Sequence, residues 1–139
     1  MMFEPRTETE RTVLAFFQAL GSDDFDRARK LMAPDMSWAV MGTGVPGAGT
    51  HIGPDAIFAV IRPIRALFAP GSPRMTLCCV TSNAERVVME THGGGEFADG
   101  RPYDNNYAMS VDVRDGRVVA LREYMDSYYV HQLKLPGGD

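Results

Sequence analysis

Apolar residues recur along this chain with two periods, and the change from one to the other divides it. Val13, Phe16, Phe17 and Leu20 fall at i, i+3, i+4 and i+7 behind Thr7-Glu8-Thr9-Glu10, which has capping-box spacing. The pattern predicts an amphipathic helix ending at Gly21. Ser22 or Asp23 can cap a second, shorter helix through Met32 that turns Phe25, Ala28, Leu31 and Met32 inward, with Pro34 closing it. Residues 36–41 suit a strand carrying Trp38, and the glycines and Pro46 of the next stretch, GTGVPGAGT, predict a loop. Pro54 at a first turn, followed by Ile57, Val60, Ile61, Ile64, Leu67 and Phe68, predicts a third helix kinked at Pro63.

Beyond Pro73 the period drops to two. Residues 75–81, 84–92 and the run 103–126 predict four strands in successive hairpins, turning at Ser82-Asn83, Asp99-Gly100 and Arg114-Asp115-Gly116. A three-residue last loop pairs Val113 with Arg117 and keeps the faces consistent. Tyr103, Asn105, Tyr107, Met109, Val111 and Val113 then share the inner face with Val119, Leu121, Glu123 and Met125. Asp104, Asn106, Ser110 and Asp112 lie outside with Arg122, Tyr124 and Asp126, where an ion pair or a dimer contact suits Arg122 and Asp126. Helices first and strands last predict an α+β fold, with three helices on one face of an antiparallel sheet, as a single domain over residues 1–139.

One charge breaks the inner face. Glu123 sits opposite Tyr107 with Leu121 and Met125 beside it, and an unpaired buried carboxylate is costly. It must be hydrogen-bonded, protonated or facing a wet cavity. Two readings follow: a core glutamate satisfied by Tyr107 or backbone, or a pocket acid or base. A two-residue Asp99-Gly100 loop pairs Ala98 with Arg101, which brings His92 opposite Tyr107 and Glu90 opposite Met109. The Ser82-Asn83 turn likewise places Leu77 opposite Val88 and Met75 opposite Glu90. A slip of one residue would turn Glu90 and His92 outward.

Composition narrows the partners. The net charge is -4 and the only lysines are Lys30 and Lys134, so no clustered basic surface for nucleic acid or an anionic membrane is expected. No apolar run approaches a membrane span and residues 1–11 lack a hydrophobic signal core, which makes a cytoplasmic location the expectation. Cys78 and Cys79 are adjacent and point to opposite faces, so they suggest neither a disulfide framework nor a zinc site. Residues 42–49 lack the lysine-hydroxyl ending of a phosphate loop. His51 and His131, in a loop and a polar tail, receive no role.

The stretch VLAFFQAL at 13–20 with Asp23-Asp24, then Asp35-Met36-Ser37-Trp38, then Gly53 to Ile57, make up part of a recognisable pattern. With the ending Asp115-Gly116-Arg117 through Arg122-Glu123-Tyr124-Met125-Asp126, it resembles the SnoaL-like group of the nuclear transport factor 2-like superfamily. Within that superfamily the chain is similar to limonene-1,2-epoxide hydrolase and to ketosteroid isomerase-like proteins. The resemblance implies a cystatin-like cone of three helices closed by a curved sheet, an apolar pocket inside it, and a homodimer packed through the sheet. In the epoxide hydrolase pattern the base aspartate falls at Glu123, the arginine at Glu90 and the second aspartate at His92. The water-holding tyrosine and asparagine fall at Trp38 and Val40.

Glu123, Glu90 and His92 are therefore the candidate catalytic residues, with general acid-base catalysis as their simplest chemistry. Asn105 and Tyr107 would donate to an oxygen on which charge develops, and Trp38, Met109, Leu121 and Met125 would line the apolar wall. One histidine with two carboxylates resembles a facial-type metal set, but such sites normally use two histidines, so no metal is expected; acid-base catalysis of this kind would need no organic cofactor. The expected activity is that of an isomerase, a polyketide cyclase or an epoxide hydrolase acting on a small hydrophobic oxygenated ligand. The other class kept open is a non-catalytic binding or dimerising domain.

Overall fold

The computed structural model describes residues 3–138; Met1, Met2 and Asp139, the ends of the span expected to be one domain, lie outside the described residues. Helix α1 (Glu8–Gly21) begins where the Thr7 hydroxyl accepts from the Glu10 backbone N–H at 3.1 Å. The Glu10 carboxylate does not close the capping box. It accepts instead from the Arg6 backbone N–H at 3.0 Å and from the Ser82 hydroxyl, tying the helix start to the sheet. Helix α2 (Phe25–Lys30) is capped by Asp24, whose side chain accepts from Arg27 N–H at 3.1 Å. It stops short of Met32, which opens strand β1 (Met32–Val40). Pro34 is tolerated there because the pairing of β1 with its neighbour is irregular between Met32 and Ser37.

Strand β2 (Gly49–Ile52) forms inside the expected loop and pairs antiparallel with β1. Helix α3 (Pro54–Arg65) carries Pro63 in its last turn and ends before Leu67 and Phe68. Strands β3 (Arg74–Ser82), β4 (Arg86–Glu96), β5 (Pro102–Arg114) and β6 (Arg117–Met125) follow as hairpins. The pattern gave no sign of the closing helix α4 (Ser127–Gln132), which is short and capped by the Asp126 side chain on Tyr129 N–H at 3.1 Å. The sheet order is β2-β1-β6-β5-β4-β3, antiparallel except where β1 runs beside β6, and the curved sheet does not close on itself. The fold is α+β, with helices packed on one face of that sheet. No helix among the described residues is long and apolar enough to cross a membrane.

Loop lengths set the registers, and all three hairpins differ from expectation. At the last one the loop has two residues, with Asp115 at φ 52 and Gly116 at φ 72, so Arg114 pairs with Arg117. A bulge between Asp112 and Val113 restores the expected faces, with Val118 in place of Val119 inside and Glu123 opposite Met109. Between β4 and β5 the loop has three residues, because Phe97 N–H donates to Arg101 O at 2.8 Å and Gly100 holds φ 89. This moves every β4 residue by one: His92 pairs with Asn106 and Glu90 with Ala108. The Asn83 side chain accepts from Glu85 and Arg86 N–H at 2.9 Å, lengthening the β3–β4 turn, so Leu77 meets Thr91 instead of Val88.

The inner face consequently consists of rows that cross the sheet. Trp38, Leu121, Val111 and Val87 form one; Val40, Glu123, Met109 and Met89 the next; Met125, Tyr107 and Thr91 a third. Phe16 of α1 is fully buried against the sheet, as are Met36, Val111, Val118 and Leu121 of the sheet. A second apolar cluster, around Val45, Phe97, Tyr103, Val130 and Leu135, closes the far end of the cone.

Candidate functional site

The two apolar clusters leave a cavity of about 620 Å³ between helices and sheet, within the range of small-molecule sites. Half-exposed apolar side chains of α1, α3 and β3, among them Phe17, Ile64 and Leu77, border it. Its walls are apolar except at a few points, and the most consequential is Glu123. Alternation along β6 aims this side chain inward between buried Leu121 and half-buried Met125.

The Glu123 carboxylate receives one hydrogen bond, from Trp38 Nε1–H to Oε1 at 3.1 Å. Burial pushes its pKa up from 4.5 to about 7, and the single bond from Trp38 pulls the other way without offsetting it. Glu123 keeps some contact with cavity space, yet protein crowds it on all other sides, so desolvation dominates. The carboxyl group is thus divided between acid and base forms near neutral pH.

Beside it lies a phenol pair. Tyr103 and Tyr107 share a short hydrogen bond between their hydroxyls, and Asn105 Nδ2 donates to the Tyr103 oxygen at 3.1 Å. Burial raises both phenol pKa values and the Glu123 charge adds to the effect, so both phenols stay protonated as hydrogen-bond donors. A chain in which Asn105 donates to Tyr103 and Tyr103 to Tyr107 frees the Tyr107 proton for an oxygen in the cavity, although the bond between the two hydroxyls can run in either direction. Thr91, opposite Tyr107 on β4, is buried at the same wall, and its Oγ1 has no hydrogen-bond partner among the described residues.

Of the residues expected from sequence, Trp38, Tyr107, Met109, Met125 and Glu123 border the cavity. Asn105 stands behind Tyr103 rather than in the wall, and Leu121 is packed wholly into the core beneath Trp38. Glu90 and His92 are on the opposite face of the sheet. The three-residue loop turned them there: Glu90 is exposed beside Cys79 and Ala108, and His92 Nε2 bonds the Asp104 carboxylate. The expected triad of two carboxylates and an imidazole is therefore not assembled, and neither is the facial-type set.

Tyr103, Thr91 and His51 are among the polar wall residues that had no place in the expected site. Tyr103 was legible as an inward position but gave no sign of its bond to Tyr107. Thr91 was hidden by the register slip. His51 was hidden because β2 lies in a glycine-rich stretch without strand periodicity; it stands opposite Trp38 and borders the cavity.

The SnoaL-like domain family matches residues 13–121. No curated protein matches the chain by sequence. Among solved structures, TerC co-crystallised with polyporic acid superposes with a TM-score of 0.80 at 21% identity, covering 91% of this chain and 98% of that one. An NTF2-like protein from Burkholderia xenovorans LB400 gives 0.75 at 23% identity, with 95% and 96% covered. A candidate isomerase from Rhodopseudomonas palustris gives 0.77 at 19% identity, with 95% and 100% covered. At these identities the likeness is one of fold.

Proposed function

This chain belongs to the SnoaL-like family, and on that premise we propose that its cavity performs general acid-base chemistry on a small hydrophobic carbonyl compound, as an isomerase or cyclase. The observation that carries the reading is Glu123, a carboxyl group with one hydrogen bond in an apolar cavity, its pKa raised to about 7. Glu10 also borders the cavity, but Arg6 and Ser82 outweigh its burial and hold it below the ordinary carboxyl range.

In the proposed reaction the Glu123 carboxylate removes a proton from carbon next to a carbonyl. The charge that develops on the carbonyl oxygen is met by the Tyr107 hydroxyl, backed by Tyr103 and Asn105. The protonated Glu123 then returns the proton at another carbon, which is isomerisation. Alternatively the enolate carbon attacks a second carbonyl in the same molecule, which closes a ring, and the protonated Glu123 gives its proton to the alkoxide oxygen so formed. Both need one base and one set of donors. Epoxide hydrolysis of the resembled type would also need a group at the Glu90 or His92 position, and neither side chain enters the cavity. The pairing of fold neighbours with a named ligand, polyporic acid, and with a candidate isomerase is consistent with this class.

The test is deuterium incorporation from D2O into a panel of unconjugated enones and β-diketones, followed by mass spectrometry, with wild type and Glu123→Gln. Exchange that depends on Glu123 and rises through pH 7 is the expected result. Equal exchange by both proteins would sink the reading. Ligand binding without exchange would leave a binding pocket.

A further inference from the structure

The cavity has a second polar end. His51 lies on β2 directly opposite Trp38, and Trp38 in turn bonds Glu123 on β6. The strand order β2-β1-β6 sets His51 and Glu123 two strand spacings apart, about 10 Å laterally, with Trp38 and Val40 as apolar wall between them. The imidazole is held in place. Its Nε2 lies 2.7 Å from the Gly47 carbonyl oxygen, and because a carbonyl only accepts, Nε2 carries the hydrogen. In the neutral ring Nδ1 is then a bare acceptor, with no partner among the described residues.

Gly47 fixes the height of that carbonyl. It sits at φ +77 against α3, where a Cβ would come within 2.8 Å of Val60 Cγ1 and 3.2 Å of Ile64 Cδ1. The loop is thus pressed onto the helix by the absence of a side chain, and His51 is oriented through it.

We infer that the cavity takes a mostly apolar molecule with two oxygen functions: the reacting one at Glu123 and Tyr107, and a hydroxyl that donates to His51 Nδ1 at the other end. This rests on the reading of Glu123 and Tyr107 as the reacting end. His51 is a specificity residue, because it selects for a donor at a set distance from the carbonyl. Gly47 is a positioning residue that acts through it.

The inference is tested on the full chain at pH 8 by titration calorimetry with 2-naphthol, 2,6-dihydroxynaphthalene and 6-methoxy-2-naphthol. The dihydroxy compound is expected to bind roughly tenfold tighter than 2-naphthol, the effect of one net hydrogen bond, and the methoxy compound is expected to show no such gain. The gain, read within each protein as the ratio of dihydroxy to 2-naphthol affinity, should vanish in His51→Phe and shrink in Gly47→Ala. His51→Leu, which likewise lacks an acceptor, serves if the phenylalanine variant does not fold. In wild type the His51 ring Cε1–H resonance should move with the dihydroxy compound only. Equal affinities in wild type, a gain that survives His51→Phe, or no binding of the dihydroxy compound would overturn the inference. Glu123→Gln separates the two claims: it should weaken all three phenols alike, and a His51-dependent gain without any Glu123 effect would remove the reacting-end reading alone.

Discussion

Glu123 and Asp112 occupy neighbouring strands of one sheet, and their surroundings drive their carboxyl groups in opposite directions. Asp112 is on the outer face, where burial pushes its pKa up but hydrogen bonds from Arg86 and Arg122 outweigh that and hold it below the ordinary value. Glu123, on the inner face, has one indole N–H and, among the described residues, no cation in ion-pair contact, and its pKa rises to about 7. What separates them is the supply of donors. The outer face gives its acid two guanidinium groups and fixes it as a structural anion; the inner face withholds them and leaves a group that can exchange a proton.

The sharpest way to break the comparison is Glu123→Gln. If the inner carboxyl is the acid-base group, turnover on any substrate found by the exchange screen should fall by about 10²- to 10⁴-fold, read as kcat, with the cavity and affinity for apolar ligands retained. The same variant reads out stability. Folded Glu123 holds its proton to about pH 7, whereas the unfolded chain releases it near 4.5. The folded state therefore binds more protons between those values, and wild-type stability should decline as pH rises from 4.5 to 7, by about 3 kcal/mol in all. Urea unfolding of Glu123→Gln should lack that decline. Trp38→Phe removes the one donor, so it should move the Glu123 titration, followed by carboxyl carbon NMR, above that of wild type.

The outer acid should show the reverse slope. Asp112 is held below its ordinary pKa, so its contribution is complete above the unfolded value and disappears as pH falls through the lower, folded one. Asp112→Asn should cost about 1 kcal/mol at pH 7, discounted for the solvent that screens the exposed Arg86 side of the network. The cost should fade in acid. A cost that stays constant from pH 7 to 2 would show that shape, not charge, matters there.

A smaller effect with the opposite sign is expected at Thr91. Its buried hydroxyl lacks a partner among the described residues, and Thr91→Val keeps the shape while removing the unsatisfied oxygen. Thermal unfolding should show a gain of up to about 1 kcal/mol.

How much of this was legible depended on what each feature needs. Periodicity alone gave α1, α3, the four hairpin strands and the inward aim of Glu123, because the face of a residue depends only on parity along its own strand once one hydrophobic neighbour is placed. The last hairpin shows how forgiving parity is: the turn was wrong by one residue, and the bulge at Val119 corrected it. Partners across strands depend on loop length, and nothing in Ala98-Asp99-Gly100 distinguishes a two-residue from a three-residue loop. His51 and Tyr103 illustrate a further limit. Their significance lies in a hydrogen bond to Gly47 and a pairing with Tyr107, which are properties of the folded chain.

The smallest expected effects fall on the two residues that the slipped register had placed at the centre of the site. Glu90 is exposed on the outer face, and His92 bonds an exposed aspartate there. Thr91 stands between them with its side chain in the cavity wall, so a one-residue shift exchanges a polar wall position for two surface ones. Glu90→Gln and His92→Gln should leave kcat and ligand affinity within experimental error of wild type, and any change in stability should be that of an ordinary surface substitution. A drop in kcat comparable to that of Glu123→Gln would mean that these side chains reach the reacting centre after all. That would require the β4–β5 hairpin to hold a two-residue loop during turnover. The exchange behaviour of the Phe97 amide, which is bonded to Arg101 O only in the three-residue form, decides between the two, since protection of that amide fixes Glu90 and His92 outside.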